Sequence, residues 1–367
     1  MTSALRWGIA AATVSVALLT ACSEEDGSGG VSTIPRASSA VVPSPTGGTP
    51  DLGTAETVAT GIKTPWGLAF LPDGSALVAE RDSARVLQVS AGGGEPREVY
   101  RVPGVSAAGE GGLLGLAVAK DFAKTRFVYA YHTAEHDNRI VRFKLGGHAA
   151  PEVLLDGIDK AGIHNGGRIA FGPDGMLYAG TGDAGDRSAA QNPDDTNGKI
   201  LRLTPDGEPA PGNPRKGSPV WSLGHRNVQG LAWAADGTMY AVEFGQNRFD
   251  EVNKIEPGRD YGWPDVEGKG NDSRYVNPLV TWTTDEASPS GAAIAGDTLY
   301  VAALRGERLW TVPLRGGDPE AELSGRYGRL RTVAVAPDGA LWLTTSNTDG
   351  RGDVRDGDDR ILRFPAR

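Results

Sequence analysis

The chain has one cysteine, Cys22, so it can form no internal disulfide, and any fold must be held by its own core. It lacks an excess of positive charge. A formal net charge of −9 argues against nucleic acid as a partner and against adhesion of the folded surface to anionic lipid. No stretch has the spacing of a long amphipathic helix. The apolar run at residues 9–19 is too short to cross a bilayer comfortably. What the chain has in plenty is glycine, 52 residues of 367, which suits many tight turns between short strands.

The N-terminal segment reads as an export signal. Arg6 supplies positive charge, residues 9–19 form the apolar core, and Leu19-Thr20-Ala21-Cys22 follows. That ending is similar to a bacterial lipobox, which makes Cys22 the lipidated first residue of the mature protein. The expectation is an exported protein tethered to the outer side of the cell membrane, with residues 1–22 as the signal. Residues 23–54 are Ser, Gly, Pro, Thr and acid with almost no large apolar side chain, and read as a disordered tether. The folded domain is expected over 55–367.

One pattern recurs six times in that domain: a small residue, an alternating apolar run, a turn, then a second alternating run. The copies are 66–80 (WGLAFLPDGSALVAE), 115–131 (GLAVAKDFAKTRFVYAY), 168–183 (RIAFGPDGMLYAGTGD), 230–244 (GLAWAADGTMYAVEF), 290–304 (SGAAIAGDTLYVAAL) and 332–347 (TVAVAPDGALWLTTSN). Pro-Asp-Gly or Ala-Asp-Gly between such runs is a hairpin signal, and Asp174, Asp236 and Asp338 read as turn residues. A third short strand follows most copies, as at 85–88, 139–142, 199–202 and 360–363, and a fourth is legible at 98–102 and 152–156. Four-stranded units repeated six times predict an all-β, six-bladed β-propeller. The chain ends on a third strand and begins, after the tether, with a lone strand at 56–60. That strand is predicted to complete the last blade and remove its open edge.

In a propeller the segments that lead into the innermost strands share one rim. His164, Arg226, 109–112, 288–291 and 329–331 all stand there, so a histidine, several arginines and amides are predicted to ring one funnel. Such a ring suits an anion with several carboxylates. The longest stretches between repeats, 184–223 and 246–289, are candidate functional loops.

The ordered set Gly-Glu-Gly-Gly-Leu-Leu-Gly (109–115), His164 with Gly167-Arg168, Gly182-Asp183, Gly-His-Arg-Asn-Val-Gln-Gly (224–230), Asp-Glu-Val-Asn (250–253), Tyr-Gly-Trp-Pro (261–264) and Arg-Leu-Arg (329–331) resembles the soluble quinoprotein sugar dehydrogenases, the glucose/sorbosone dehydrogenase family that uses pyrroloquinoline quinone (PQQ). The resemblance spans about 56–366. It implies oxidation of the C1 hydroxyl of an aldose to the lactone, with PQQ and Ca²⁺ as cofactors and an electron acceptor that the sequence does not identify. His164 matches the general base, a task suited to a side chain that ordinarily titrates near neutrality. Asp183 matches the carboxylate that orients it, and Arg226 the cation beside the reacting quinone carbonyl. Asn227, Arg305, Arg329 and Arg331 match cofactor contacts, and Gly245 and Gln246 the backbone carbonyls that hold Ca²⁺. Trp282 matches a wall of the sugar pocket. Glu110 stands at a cofactor position where glutamine is common, and Ile163 where an acidic residue can precede the histidine.

Two readings from other classes stay open on sequence alone: a non-catalytic ligand-binding propeller on a lipid anchor, and a Ca²⁺-dependent lactonase, against which the arginine-rich rim argues. Among the remaining features, His225 reads as structural, and Trp66, Trp233, Trp263 and Trp342 as packing between blades. The acidic stretch 349–359 reads as a solvated hairpin loop, since its spacing is not that of an EF-hand.

Overall fold

The computed structural model describes residues 48–367. The export segment, Cys22 and the tether as far as residue 47 lie outside the described residues.

Alternating apolar runs broken by Asp-Gly turns form six sheets, each of four antiparallel strands. The innermost strands are Pro65–Phe70, Leu113–Val118, Ile169–Phe171, Val228–Trp233, Pro289–Ala295 and Leu330–Val335. In the first five blades the chain runs from the innermost strand outwards. Each blade packs on the next and the sixth on the first, which closes the ring. The second strand of a blade is flanked by the two neighbouring blades and is buried along all or nearly all of its length, as in Ala76–Glu80 and Leu341–Thr345. The apolar core is accordingly divided into six clusters, one at each contact between successive blades.

The last blade is completed by the N-terminal strand Glu56–Ala59, which pairs antiparallel with Ile361–Phe364 in the register Glu56 to Arg363 and Thr57 to Leu362. Pairing starts a few residues earlier than the expected boundary near 55. Pro50 bridges to Ala366, and Asp51 accepts from Arg367 at 2.6 Å. The N-terminal strand covers the edge that Ile361–Phe364 would otherwise expose and is itself the outermost strand of the blade.

Fourth strands not legible in the sequence are present at Val220–Leu223, Val280–Thr283 and Glu320–Glu322. They are three or four residues long and only partly buried, so no clean alternation marks them.

Five of the six innermost hairpins shift register near the start of their first strand. Bulges re-aim the flanking side chains, and Trp66, Gln229 and Arg331 at three of these shifts face the funnel. Gly67, Gly115, Gly230 and Gly291 stand at the same point in four blades. A Cβ there would come within 2.2–2.8 Å of the next blade's backbone. In these four blades the glycine is what lets the strands approach the next blade so closely.

Candidate active site

The segments before the innermost strands do meet. They enclose a cavity of about 450 Å³ walled by Glu110, His164, Arg226, Ser288, Arg329 and Arg331, among others. His164 lies in the Gly-rich turn of blade three with a left-handed backbone, φ +54°. Its side chain is nearly buried between two charged partners. Nδ1 is 2.6 Å from Asp183 Oδ1, and Nε2 is 2.6 Å from Arg226 Nη2. A guanidinium can only donate, so Nε2 is the acceptor and the ring proton sits on Nδ1, donated to Asp183. This is a neutral imidazole with its basic nitrogen turned to the cavity.

Asp183 is fixed by three further contacts. Its Oδ1 accepts from the Gly185 N–H at 2.8 Å, its Oδ2 from Trp263 Nε1 at 2.8 Å, and its own N–H donates to the Arg226 carbonyl at 2.9 Å. Burial pushes this carboxyl up, but the hydrogen bonds from His164, Gly185 and Trp263 offset it, so Asp183 stays below the ordinary aspartate value. Arg226 is oriented by Gln246 Oε1 at 2.8 Å and by the Phe244 carbonyl at 3.1 Å. Burial holds its pKa below the ordinary arginine value.

Cations dominate the walls. Arg305, Arg329 and Arg331 line the cavity as expected, and Arg81 and Arg351 join them. With Arg226 that makes six arginines against three carboxylates, Glu110, Asp250 and Asp349, a formal excess of three positive charges. Asp349 bonds Arg329 at 3.0 Å and Arg331 at 3.5 Å. Burial pushes Asp349 up, while Arg329 and Arg331 bring it below its ordinary value. Arg331 is deeply buried, and its Nε has no hydrogen-bond partner among the described residues. Burial lowers its pKa to about 9, and a guanidinium held in this way is stabilised by an anion. Arg305 is more exposed and rests on Asp285 at 2.6 Å.

Gly245 and Gln246 also line the cavity. Their loop is shaped by Glu267, whose Oε1 accepts the N–H groups of Gln246, Asn247, Arg248 and Phe249 at 2.7–3.2 Å. Asp250 takes the Gly245 and Ser288 N–H groups, and burial still pushes its carboxyl up to about 7. Among the described residues no group of three or more His, Cys, Asp or Glu side chains could by itself hold a metal ion.

Several expected residues stand elsewhere. Trp282 is not on the cavity wall. It lies in the outermost strand of blade four, buried and stacked on Trp310 at 5.1 Å, as part of the core between blades four and five. Asn227 is fully buried behind the turn, where its Oδ1 accepts from the Gly166 N–H at 3.0 Å. His225 is structural as expected, held by Ser222 and Glu243 with no exposure. The stretch 349–359 is not simply a solvated loop: Asp349 pairs with the arginines, and Asp359 is buried, accepting from Thr345 and Thr348. Trp66 and Trp263 are more than packing, since Trp66 lines the cavity and Trp263 holds Asp183. Arg81, Arg351 and Asp349 carried no repeat signal. Asp250 did lie within the Asp-Glu-Val-Asn motif, without an assigned role.

Comparison with known proteins places the chain closely. Residues 62–362 match the family described as glucose/sorbosone dehydrogenase. The solved PQQ-bound form of an aldose sugar dehydrogenase from Streptomyces coelicolor is 55% identical, with a TM-score of 0.83, covering 87% of this chain and 100% of that one. The aldose sugar dehydrogenase YliI of Escherichia coli is 29% identical over 332 residues, 78% of this chain and 88% of its own. Quinoprotein glucose dehydrogenase B of Acinetobacter calcoaceticus is 31% identical over 257 residues, 60% of this chain and 54% of its own.

Proposed function

The chain belongs to the glucose/sorbosone dehydrogenase family, and we propose that it oxidises the C1 hydroxyl of an aldose to the lactone with His164 as general base. Membership and the PQQ-bound relative make it a PQQ-dependent sugar oxidoreductase. The observation that carries the finer reading is the neutral His164, backed by Asp183 and opening on an arginine-walled cavity.

The donor set fits the cofactor. PQQ is a tricarboxylate, and the cavity offers an excess of three positive charges and the unpartnered Nε of Arg331. Arg329, Arg331 and Arg305 would hold its carboxylates, and Arg226 would stand at a quinone oxygen. When bound, PQQ supplies the two-electron acceptor for the hydride that leaves C1. The protein's share is proton handling and charge. The sugar hydroxyl takes the place of Arg226 at Nε2, and His164 accepts its proton there. Asp183 then faces an imidazolium and stabilises it through Nδ1–H. Arg226, released from Nε2, is free to stabilise negative charge that develops in the cavity. For Ca²⁺, the carbonyls of Gly245 and Gln246 are oxygen donors of the right hardness. They are too few to hold the ion alone, so it would share donors with the cofactor. Anchoring at Cys22 on the outer side of the membrane belongs to the same proposal and rests on the Leu-Thr-Ala-Cys sequence.

The test is reconstitution. Purified protein given PQQ and Ca²⁺ should reduce an artificial dye in the presence of an aldose, and neither addition alone should suffice. His164→Ala should remove that activity with an unchanged circular dichroism spectrum. Reconstituted protein that binds no PQQ, or turns over no aldose, would contradict the proposal.

A further inference from the structure

We infer that Glu110 is a positioning residue for the base, held in place by Arg351, and that the pair straps blade six across the funnel to the turn that carries His164. The inference rests on the role proposed for His164.

A residue with a Cβ occupies the left-handed region only when its surroundings hold it there. The His164 backbone is gripped on both sides. Its N–H donates to Glu110 Oε2 at 3.0 Å, and its carbonyl accepts from Ala184 at 3.1 Å. Glu110 is in turn fixed to the same turn, since its own N–H donates to the Gly162 carbonyl at 3.0 Å. The fit there is tight: a Cβ on Gly109 would come within 2.2 Å of the Gly162 oxygen. The second Glu110 oxygen, Oε1, accepts from Arg351 Nη1 at 3.1 Å, a residue 241 positions away in sequence. The Arg351 N–H donates to Asp349 Oδ1 at 2.9 Å, and Asp349 Oδ2 takes Arg329 and Arg331. A continuous run of polar contacts therefore joins the arginine pair to the backbone of the base.

The chemistry of the carboxylate separates this role from cofactor contact. Glutamine at this position has an N–H to offer a carboxylate, whereas ionised glutamate can only accept. Both Glu110 oxygens already accept from protein groups. A negative charge beside a polycarboxylate site weakens anion binding, so Glu110 is placed to serve His164 rather than to hold the cofactor.

The experiment compares Glu110→Ala, Glu110→Gln and Arg351→Gln in the full protein. It reads PQQ affinity, kcat and KM for an aldose, and hydrogen exchange of the His164 amide without cofactor. In Glu110→Ala, kcat should fall about 10- to 100-fold through misplacement of the base. PQQ should bind at least as tightly, and the His164 amide should exchange at least about tenfold faster. Glu110→Gln keeps an acceptor for that N–H and should recover most of what the alanine variant loses, with Arg351→Gln between the two. Weaker PQQ binding with kcat retained would make Glu110 a cofactor contact and overturn the inference, as would unchanged exchange in Glu110→Ala. If no variant and no wild-type preparation oxidises sugar, the proposed function fails, and the exchange data still decide the strap.

Discussion

At the turn end of the innermost hairpins, Asp73, Asp174, Asp236 and Asp338 all do the same thing: Oδ1 accepts the N–H two residues on, at 2.9–3.0 Å. At the opposite end, where the chain enters the same strands, the polar side chains differ from blade to blade. One carries a left-handed histidine, another a buried arginine with an unpartnered Nε, a third a serine bonded to Gln229. The turn end satisfies itself and needs nothing from outside. The funnel end holds charges whose desolvation is not fully offset by protein groups, and those charges surround one cavity. Repetition in this chain records what a hairpin needs, and departure from it marks where a ligand is needed.

This contrast makes predictions for each end. The largest effect should come from His164→Ala, which should lower kcat by about 10²- to 10⁴-fold. The midpoint of thermal unfolding should fall modestly, since buried Asp183 loses the Nδ1–H donor. A variant as active as wild type would break the contrast. Arg331→Met should weaken PQQ binding by about 10- to 100-fold, the scale of a charged hydrogen bond. It should not lower the stability of the cofactor-free protein, because it removes a poorly paired buried charge. A fluorescence titration and a melting curve measure both, and a large loss of stability would show that Arg331 serves the fold.

Asp250 gives a pH test. Burial raises its carboxyl from 3.8 to about 7 in the folded protein. Its contribution to stability is therefore fully present below 3.8 and is lost as the pH rises through about 7. Asp250→Asn should remove that slope in urea unfolding of the cofactor-free protein between those limits, and identical slopes would contradict it. The smallest effect belongs to the turn end. Asp73→Ala should cost about 1 kcal/mol of stability, the value of a neutral-range hydrogen bond, and leave PQQ binding unchanged.

The same contrast explains what could be read from sequence. The six hairpins were legible because alternation and Asp-Gly turns are local and repeat. His164, Arg226, Arg329 and Arg331 were legible because they hold equivalent places in the repeat. Asp349 and Arg351 follow the second strand of blade six, as Arg81, Asp183, Gln246 and Arg305 follow the second strands of other blades, and only the closed ring brings Arg351 to Glu110. Trp282 misled for a different reason. The resemblance carries over a position and not the surroundings of its side chain, and in the outermost strand of blade four that side chain meets Trp310. The short fourth strands of blades three to five escaped because partly exposed segments of three or four residues carry no pattern.

The most direct test of the central claim is anaerobic mixing of the PQQ-loaded protein with a single equivalent of aldose, following the absorbance of the quinone in wild type and His164→Ala. The account predicts that both proteins bind PQQ with similar affinity, that the wild type reduces it stoichiometrically, and that the variant does so more slowly by about 10²-fold or more. Equal rates in the two proteins would contradict the assignment of His164 as the base.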